Sequence, residues 1–215
     1  VVLPSQYRVF RCEPFGMIFS RDCEDLSLGN VATYSSYRFI ALTGATSPSV
    51  FNSKCVRIFD HQKGEITFEH TFENHILTMK LGDGIVVVNM YCKVQIWSTQ
   101  KSIQLSSVDI GYNVHCPLCI APDSNSIICG GSDDKKIFFC GNIKTENITK
   151  KALKVDTKSI LLIHFASNGQ YFATTAFNGD NICVWDAKML SCTTFLERKC
   201  NGDIVNEYDI GSYTI

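Results

Sequence analysis

No long apolar stretch runs through this sequence. An uninterrupted run such as Ile85-Val86-Val87-Val88 is as long as it offers, far short of the ~20 residues that span a bilayer as a helix. Charge of one sign is not in excess either: 20 Lys and Arg stand against 21 Asp and Glu, a net charge of −1 at pH 7. That excludes a globally basic nucleic-acid coat and an acidic disordered tail. The opening residues, Val1-Val2-Leu3-Pro4, carry neither the basic flank nor the cleavable apolar stretch of a secretory signal. Helical periodicity is nearly missing as well, which leaves strands to carry the fold. With 215 residues, 45% of them hydrophobic, the chain can bury one sizeable core or two small ones.

Cysteine is what the sequence has in quantity. Eleven cysteines fall at 12, 23, 55, 92, 116, 119, 129, 140, 183, 192 and 200. They are scattered and odd in number, and a disulfide framework belongs to short secreted chains. Most sit in apolar runs such as Ser126-Ile127-Ile128-Cys129, where a free thiol behaves as a small hydrophobe. Reduced, buried thiols are therefore expected. Cys116-Pro117-Leu118-Cys119 has the spacing of half a zinc site, but tetrahedral zinc needs a second ligand pair. Cys129 and Cys140 stand apart, and His115 merely adjoins Cys116. The expectation is no metal and no cofactor.

What recurs is a short β-rich run, a turn of polar or small residues, and another short run. Val56-Arg57-Ile58-Phe59-Asp60 precedes Glu65-Ile66-Thr67-Phe68; Val94-Gln95-Ile96-Trp97-Ser98 precedes Ser102-Ile103-Gln104-Leu105; Ile182-Cys183-Val184-Trp185-Asp186 precedes Leu190-Ser191-Cys192-Thr193. From Phe59 to Trp97 is 38 residues and from Trp97 to Trp185 is 88, with Phe139-Cys140 near the missing intermediate position. A period of ~40–45 residues with four strands per unit marks a WD40-type β-propeller. The predicted fold is all-β: one WD40-like propeller domain, with a partial blade over residues 1–30, full blades at about 31–72, 75–110, 115–155 and 159–195, and a partial blade over 203–215. Two closures stay open: a piece of a seven-bladed propeller, or terminal half-blades joined into a five-bladed ring. A free arc would leave strand edges unpaired.

Enzyme chemistry is not expected. No Gly-rich phosphate loop, nucleophile elbow or His-Glu-x-x-His occurs. His164, in Leu161-Leu162-Ile163-His164-Phe165, reads as a hydrogen-bonded core residue, and Asp133-Asp134 with Lys135-Lys136 as an exposed turn. Nucleic acid is not expected as a partner: Lys150, Lys151 and Lys154 form the basic cluster, without interleaved stacking aromatics.

Tyr7-Arg8-Val9-Phe10-Arg11-Cys12-Glu13-Pro14-Phe15-Gly16 resembles the GYKIYNCDPFG stretch near the start of PROPPINs, seven-bladed propellers that bind phosphoinositides in autophagy. The resemblance continues in order through Arg38–Gly44, Phe72–Leu81, Ile85–Val88, Cys119–Pro122 and Asn168–Thr174. It implies an adaptor that is peripheral on phosphoinositide-marked preautophagosomal, endosomal or vacuolar membranes, faces the cytoplasm, and has autophagy-type protein partners. The family holds two lipid headgroups on either side of an FRRG motif. The matching residues here are Phe195-Leu196-Glu197-Arg198: the Phe is kept, and the two arginines become Leu and Glu. Family Ser, Lys, Thr and Arg positions become Ala176, Asn178, Asp180 and Cys183, and the family His falls at about Asp156. Phosphate recognition needs guanidinium forks and hydroxyl donors, whereas Glu197, Asp180 and Asp156 repel anions. The candidate lipid-binding residues are then Arg198 and Lys199, just downstream. Two functional readings follow: a phosphoinositide-binding adaptor recognising phosphatidylinositol 3-phosphate through a degenerate motif, or a divergent WD-repeat scaffold that keeps only protein partners.

Overall fold

The computed structural model describes residues 2–3, 6–11, 13–22, 28–34, 38–45, 52–112, 115, 117–131, 136–145, 147–155, 160–176 and 181–197. The last partial blade expected over 203–215 lies outside them, as do Asp133, Asp134 and Lys135 of the expected exposed turn, whose last residue, Lys136, begins a strand. Every regular element among the described residues is a strand. The chain divides into two compact units, Val1–Ser107 and Val108–Ile215.

The first unit opens with β1 (Val2–Leu3), β2 (Gln6–Arg11) and β3 (Gly16–Asp22), a three-stranded antiparallel sheet in sequence order. Next comes a four-stranded meander of β4 (Leu28–Thr33), β5 (Phe39–Gly44), β6 (Cys55–Asp60) and β7 (Glu65–Thr71), then a second of β8 (Thr78–Gly82), β9 (Ile85–Met90), β10 (Lys93–Ser98) and β11 (Ile103–Asp109). The second unit holds two more: β12 (Leu118–Ile120), β13 (Ile127–Gly130), β14 (Lys136–Gly141) and β15 (Thr149–Lys154), followed by β16 (Ile160–Phe165), β17 (Tyr171–Ala176), β18 (Asn181–Asp186) and β19 (Ser191–Glu197). These are propeller blades: four full ones and a partial one before them.

Sheets of this kind pack through both faces, and the sequence shows why the second strand of each blade is so apolar. All six residues of β9 are buried. Val86 and Val88 point into a cluster with Val56, Ile58, Phe68 and Phe72 of the preceding blade. Each such side chain contributes about 1.5–3 kcal/mol relative to an exposed one. In the second unit Cys119, Ile128, Ile137 and Phe139 close on Ile163, Phe165, Phe172 and Trp185 in the same manner.

The recurring aromatic-acid pairs have a mechanical explanation. Asp60 ends β6, and its Oδ1 accepts the backbone N–H groups of Gln62 (2.9 Å) and Lys63 (3.2 Å). Asp186 ends β18 and does the same for Lys188 (2.8 Å) and Met189 (2.7 Å). Ser98 ends β10 and accepts from Lys101 at 3.2 Å. Four residues after each, at Gly64, Ser102 and Leu190, φ is positive (73°, 53° and 54°). The short side chain thus ties the turn between the third and fourth strands, while the adjoining Trp97 and Trp185 pack sideways.

Two expectations need correction. His164 is exposed, not core: β16 alternates, turning Ile163 and Phe165 inward and His164 outward. Its Nδ1 lies 2.6 Å from the Phe165 carbonyl. Of the seven described cysteines, none of them in a disulfide, Cys55, Cys119, Cys129, Cys140 and Cys183 are buried but Cys92 and Cys192 are exposed. Cys92 occupies the tight turn between β9 and β10, and Cys192 lies on an outermost strand, where neither face is covered.

Candidate functional site

The stretch that resembles the lipid-binding motif is the outer edge of the last blade. Strand β19 pairs with β18 in antiparallel register, setting Phe195 opposite Cys183, Leu196 opposite Ile182 and Glu197 opposite Asn181. β18 pairs in turn with β17, which sets Cys183 opposite Thr174. Trp185 locks these strands. Its Nε1–H donates to Thr174 Oγ1 at 3.1 Å, and its ring lies parallel to Phe172 with centroids 5.8 Å apart.

This geometry bears on one residue of the stretch that resembles the motif. Cys183, at the place of a family arginine, is 3% exposed and faces the blade-to-blade core. It offers no donor to an anion outside. Phe195 and Leu196, by contrast, are half exposed, at 50% and 53%. The described part of the edge is therefore apolar where a PROPPIN carries its first guanidinium. Arg198 and Lys199 lie outside the described residues, as do Asp156, Asn178 and Asp180, so the structure neither gathers nor separates them.

Two clefts escaped the sequence reading. One, of about 510 Å³ in the first unit, is bordered by Tyr34, Arg38, Asp60, Lys63, Asp83 and Gln100. The Arg38 guanidinium puts Nε (3.0 Å) and Nη2 (2.8 Å) on Asp60 Oδ2. That bond, with the turn N–H groups, holds the Asp60 carboxyl below the usual carboxylate range against its burial. The other, of about 490 Å³ in the second unit, is bordered by Asp123, Asn168, Gln170, Tyr171, Asp186 and Lys188. In both, a turn-tying acid is already occupied by backbone or arginine. Those acids, at the ends of β6 and β18, were the sequence signal that could have located the clefts. Burial also raises the buried thiols: Cys140 to about 11 and Cys129 well above its ordinary value. Such thiols are inert at neutral pH.

No protein-family model matches the sequence. Among curated proteins it is similar to Autophagy-related protein 18 of Saccharomyces cerevisiae, 26% identical over 146 residues, which is 66% of this chain and 29% of that protein. The Candida glabrata protein of the same name is 27% identical over 107 residues, 50% of this chain and 21% of the relative. The chain thus matches less than a third of these relatives' length. Among solved structures, Kluyveromyces lactis Hsv2 superposes with a TM-score of 0.75 at 14% identity, covering 91% of this chain and 59% of Hsv2. Kluyveromyces marxianus Hsv2 superposes at 0.70 and 12% identity, covering 91% and 61%. Sequence similarity to the first proteins supports assignment of the chain to the PROPPIN family, and the second share its propeller fold.

Proposed function

We propose that this chain is the blade-forming part of a PROPPIN-like WD-repeat adaptor in autophagy and membrane trafficking, peripheral on phosphoinositide-bearing membranes and non-enzymatic. The observation that carries this reading is the similarity to Autophagy-related protein 18 over 146 residues. In this reading a phosphorylated inositol is held weakly, by Arg198 and Lys199 beyond the end of β19. An Arg or Lys contact to phosphate made in the open is electrostatic and screened over a Debye length of ~8–10 Å. Flotation with phosphatidylinositol 3-phosphate vesicles tests it. Binding at low salt that is abolished by Arg198→Ala with Lys199→Ala supports the reading. Tight, salt-insensitive binding untouched by that change places the site elsewhere.

A specific observation favours the second reading, a scaffold that binds proteins only. Cys183 is sealed in the core, and Leu196 takes an arginine's place. Absence of vesicle binding at low salt by the unmodified chain decides for the scaffold.

A further inference from the structure

The outer strand of the third full blade, β15, reads Thr149-Lys150-Lys151-Ala152-Leu153-Lys154, and all but Leu153 are exposed. Its neighbour β14 begins with exposed Lys136, set directly opposite Lys154. Directly opposed residues share a face, so Lys136, Lys150 and Lys154 point one way and Lys151 the other. Exposed Lys144 lies in the loop between the two strands. From 136 to 155 the described residues include five lysines and no carboxylate; Glu146 lies outside them. Five of the chain's 20 basic residues therefore crowd one blade's outer end.

A lysine on an edge strand ordinarily guards against strand-to-strand aggregation. That does not account for this pattern, because the other outer strands manage without it. β7, β11 and β19 contain no lysine at all. Setting Lys136 against Lys154 also costs stability, since like charges directly across a ladder repel. An anion on that face removes the cost.

We propose that the lysine-bearing edge formed by β14 and β15 is an electrostatic docking surface for anionic lipid bilayers. Charge on both faces of an outermost strand suits a broad field of headgroups; an added peptide strand would read one edge only. Neither cleft described above includes a β15 residue. The two blades of this unit pack through β12, β13 and β16, the inner ends of their sheets, so β15 and β19 both lie at the outer end. A cationic strand and the exposed Phe195-Leu196 pair therefore share that end, the combination that membrane interfaces bind. The proposal rests on the membrane-associated reading above for its choice of a bilayer, but on other residues and on charge alone rather than a headgroup.

The test is flotation of the full chain with vesicles of phosphatidylcholine alone, of phosphatidylcholine with phosphatidylserine, and of phosphatidylcholine with phosphatidylinositol 3-phosphate at matched negative charge. Binding to the phosphatidylserine vesicles is expected, with none to phosphatidylcholine. Lys150→Gln, Lys151→Gln and Lys154→Gln together should lower it by roughly 100-fold at low salt, about fivefold per lysine. Arg at the same three positions should restore it, which separates lost charge from lost folding. Phosphatidylserine binding unchanged in the Gln variant overturns the proposal. So does binding confined to phosphatidylinositol 3-phosphate and lost only with Arg198→Ala and Lys199→Ala, which leaves the headgroup reading standing. Capture of an acidic peptide by the lysine edge without any vesicle binding makes it a protein site and also overturns the proposal.

Discussion

Replacing Thr174 by Val probes the lock that holds the last blade. Thr174 is 2% exposed and Trp185 6%, so the indole N–H that donates to Thr174 Oγ1 has no route to water. Val keeps the volume and removes the acceptor. An orphaned buried donor costs about 1–3 kcal/mol, offset slightly by one more methyl in apolar surroundings. Trp185→Phe removes the donor and leaves space beside Phe172, costing about 2 kcal/mol or more. In the double variant no polar group is orphaned, so its cost should fall below the sum of the singles by about 1 kcal/mol. Urea unfolding followed by far-ultraviolet dichroism reads all four proteins. With a slope of roughly 2 kcal/mol per molar urea, Thr174→Val should lower the midpoint by about 0.5–1.5 M. The chain has two tryptophans, and Trp97 belongs to the other compact unit. A Trp97→Phe background therefore lets Trp185 fluorescence report on the second unit alone. A neutral Thr174→Val, or strictly additive costs, refutes the reasoning.

Other outcomes follow from the same packing. His70 lies tilted against Trp97 with centroids 3.9 Å apart, and burial holds its pKa below the ordinary 6.5; the unfolded chain therefore binds the proton more readily, and stability of the first unit should fall as pH drops below that value. His70→Phe should flatten this pH dependence in urea titrations followed through Trp97. Alkylation of the native protein near neutral pH with peptide mapping should label Cys92 and Cys192 and spare Cys55, Cys119, Cys129, Cys140 and Cys183 until denaturant is added. Ser102 holds φ at 53° where the equivalent turn has Gly64. Ser102→Gly should thus be neutral to stabilising by about 1 kcal/mol, and Gly64→Val destabilising by more than that, in thermal unfolding.

The blades were legible because their two signals are local. An aromatic followed by Asp or Ser ends the third strand, and the acid or hydroxyl ties the turn that Gly64, Ser102 and Leu190 complete. Both lie within a few residues of each other in sequence. His164 misled for the opposite reason: Leu161-Leu162-Ile163-His164-Phe165 looks uniformly apolar, but the alternation of β16 leaves Leu162 at 61% exposure and His164 beside it facing outward. Exposure of Cys92 and Cys192 likewise depends on turn and edge positions that composition does not reveal. The lysines of β15 were visible as a cluster, but their load on one outer strand required the pairing of Lys136 with Lys154. At Phe195 and the residues after it, the family resemblance set Leu196 and Glu197 where PROPPINs have arginines. Only the register showed that Cys183 is sealed inside while Leu196 stands at the edge.

The central proposal is that this propeller has a PROPPIN-like lipid edge eroded at identifiable positions. Restoring the pattern tests it most directly: Leu196→Arg with Glu197→Arg, measured by flotation with phosphatidylinositol 3-phosphate vesicles at moderate salt. Two guanidinium groups replace an apolar side chain and a carboxylate, so binding should strengthen, by roughly tenfold or more. The gain should remain partial, because buried Cys183 leaves one pocket wall without a donor. No gain in a folded variant, or an unmodified chain that already binds tightly at high salt, would contradict the account.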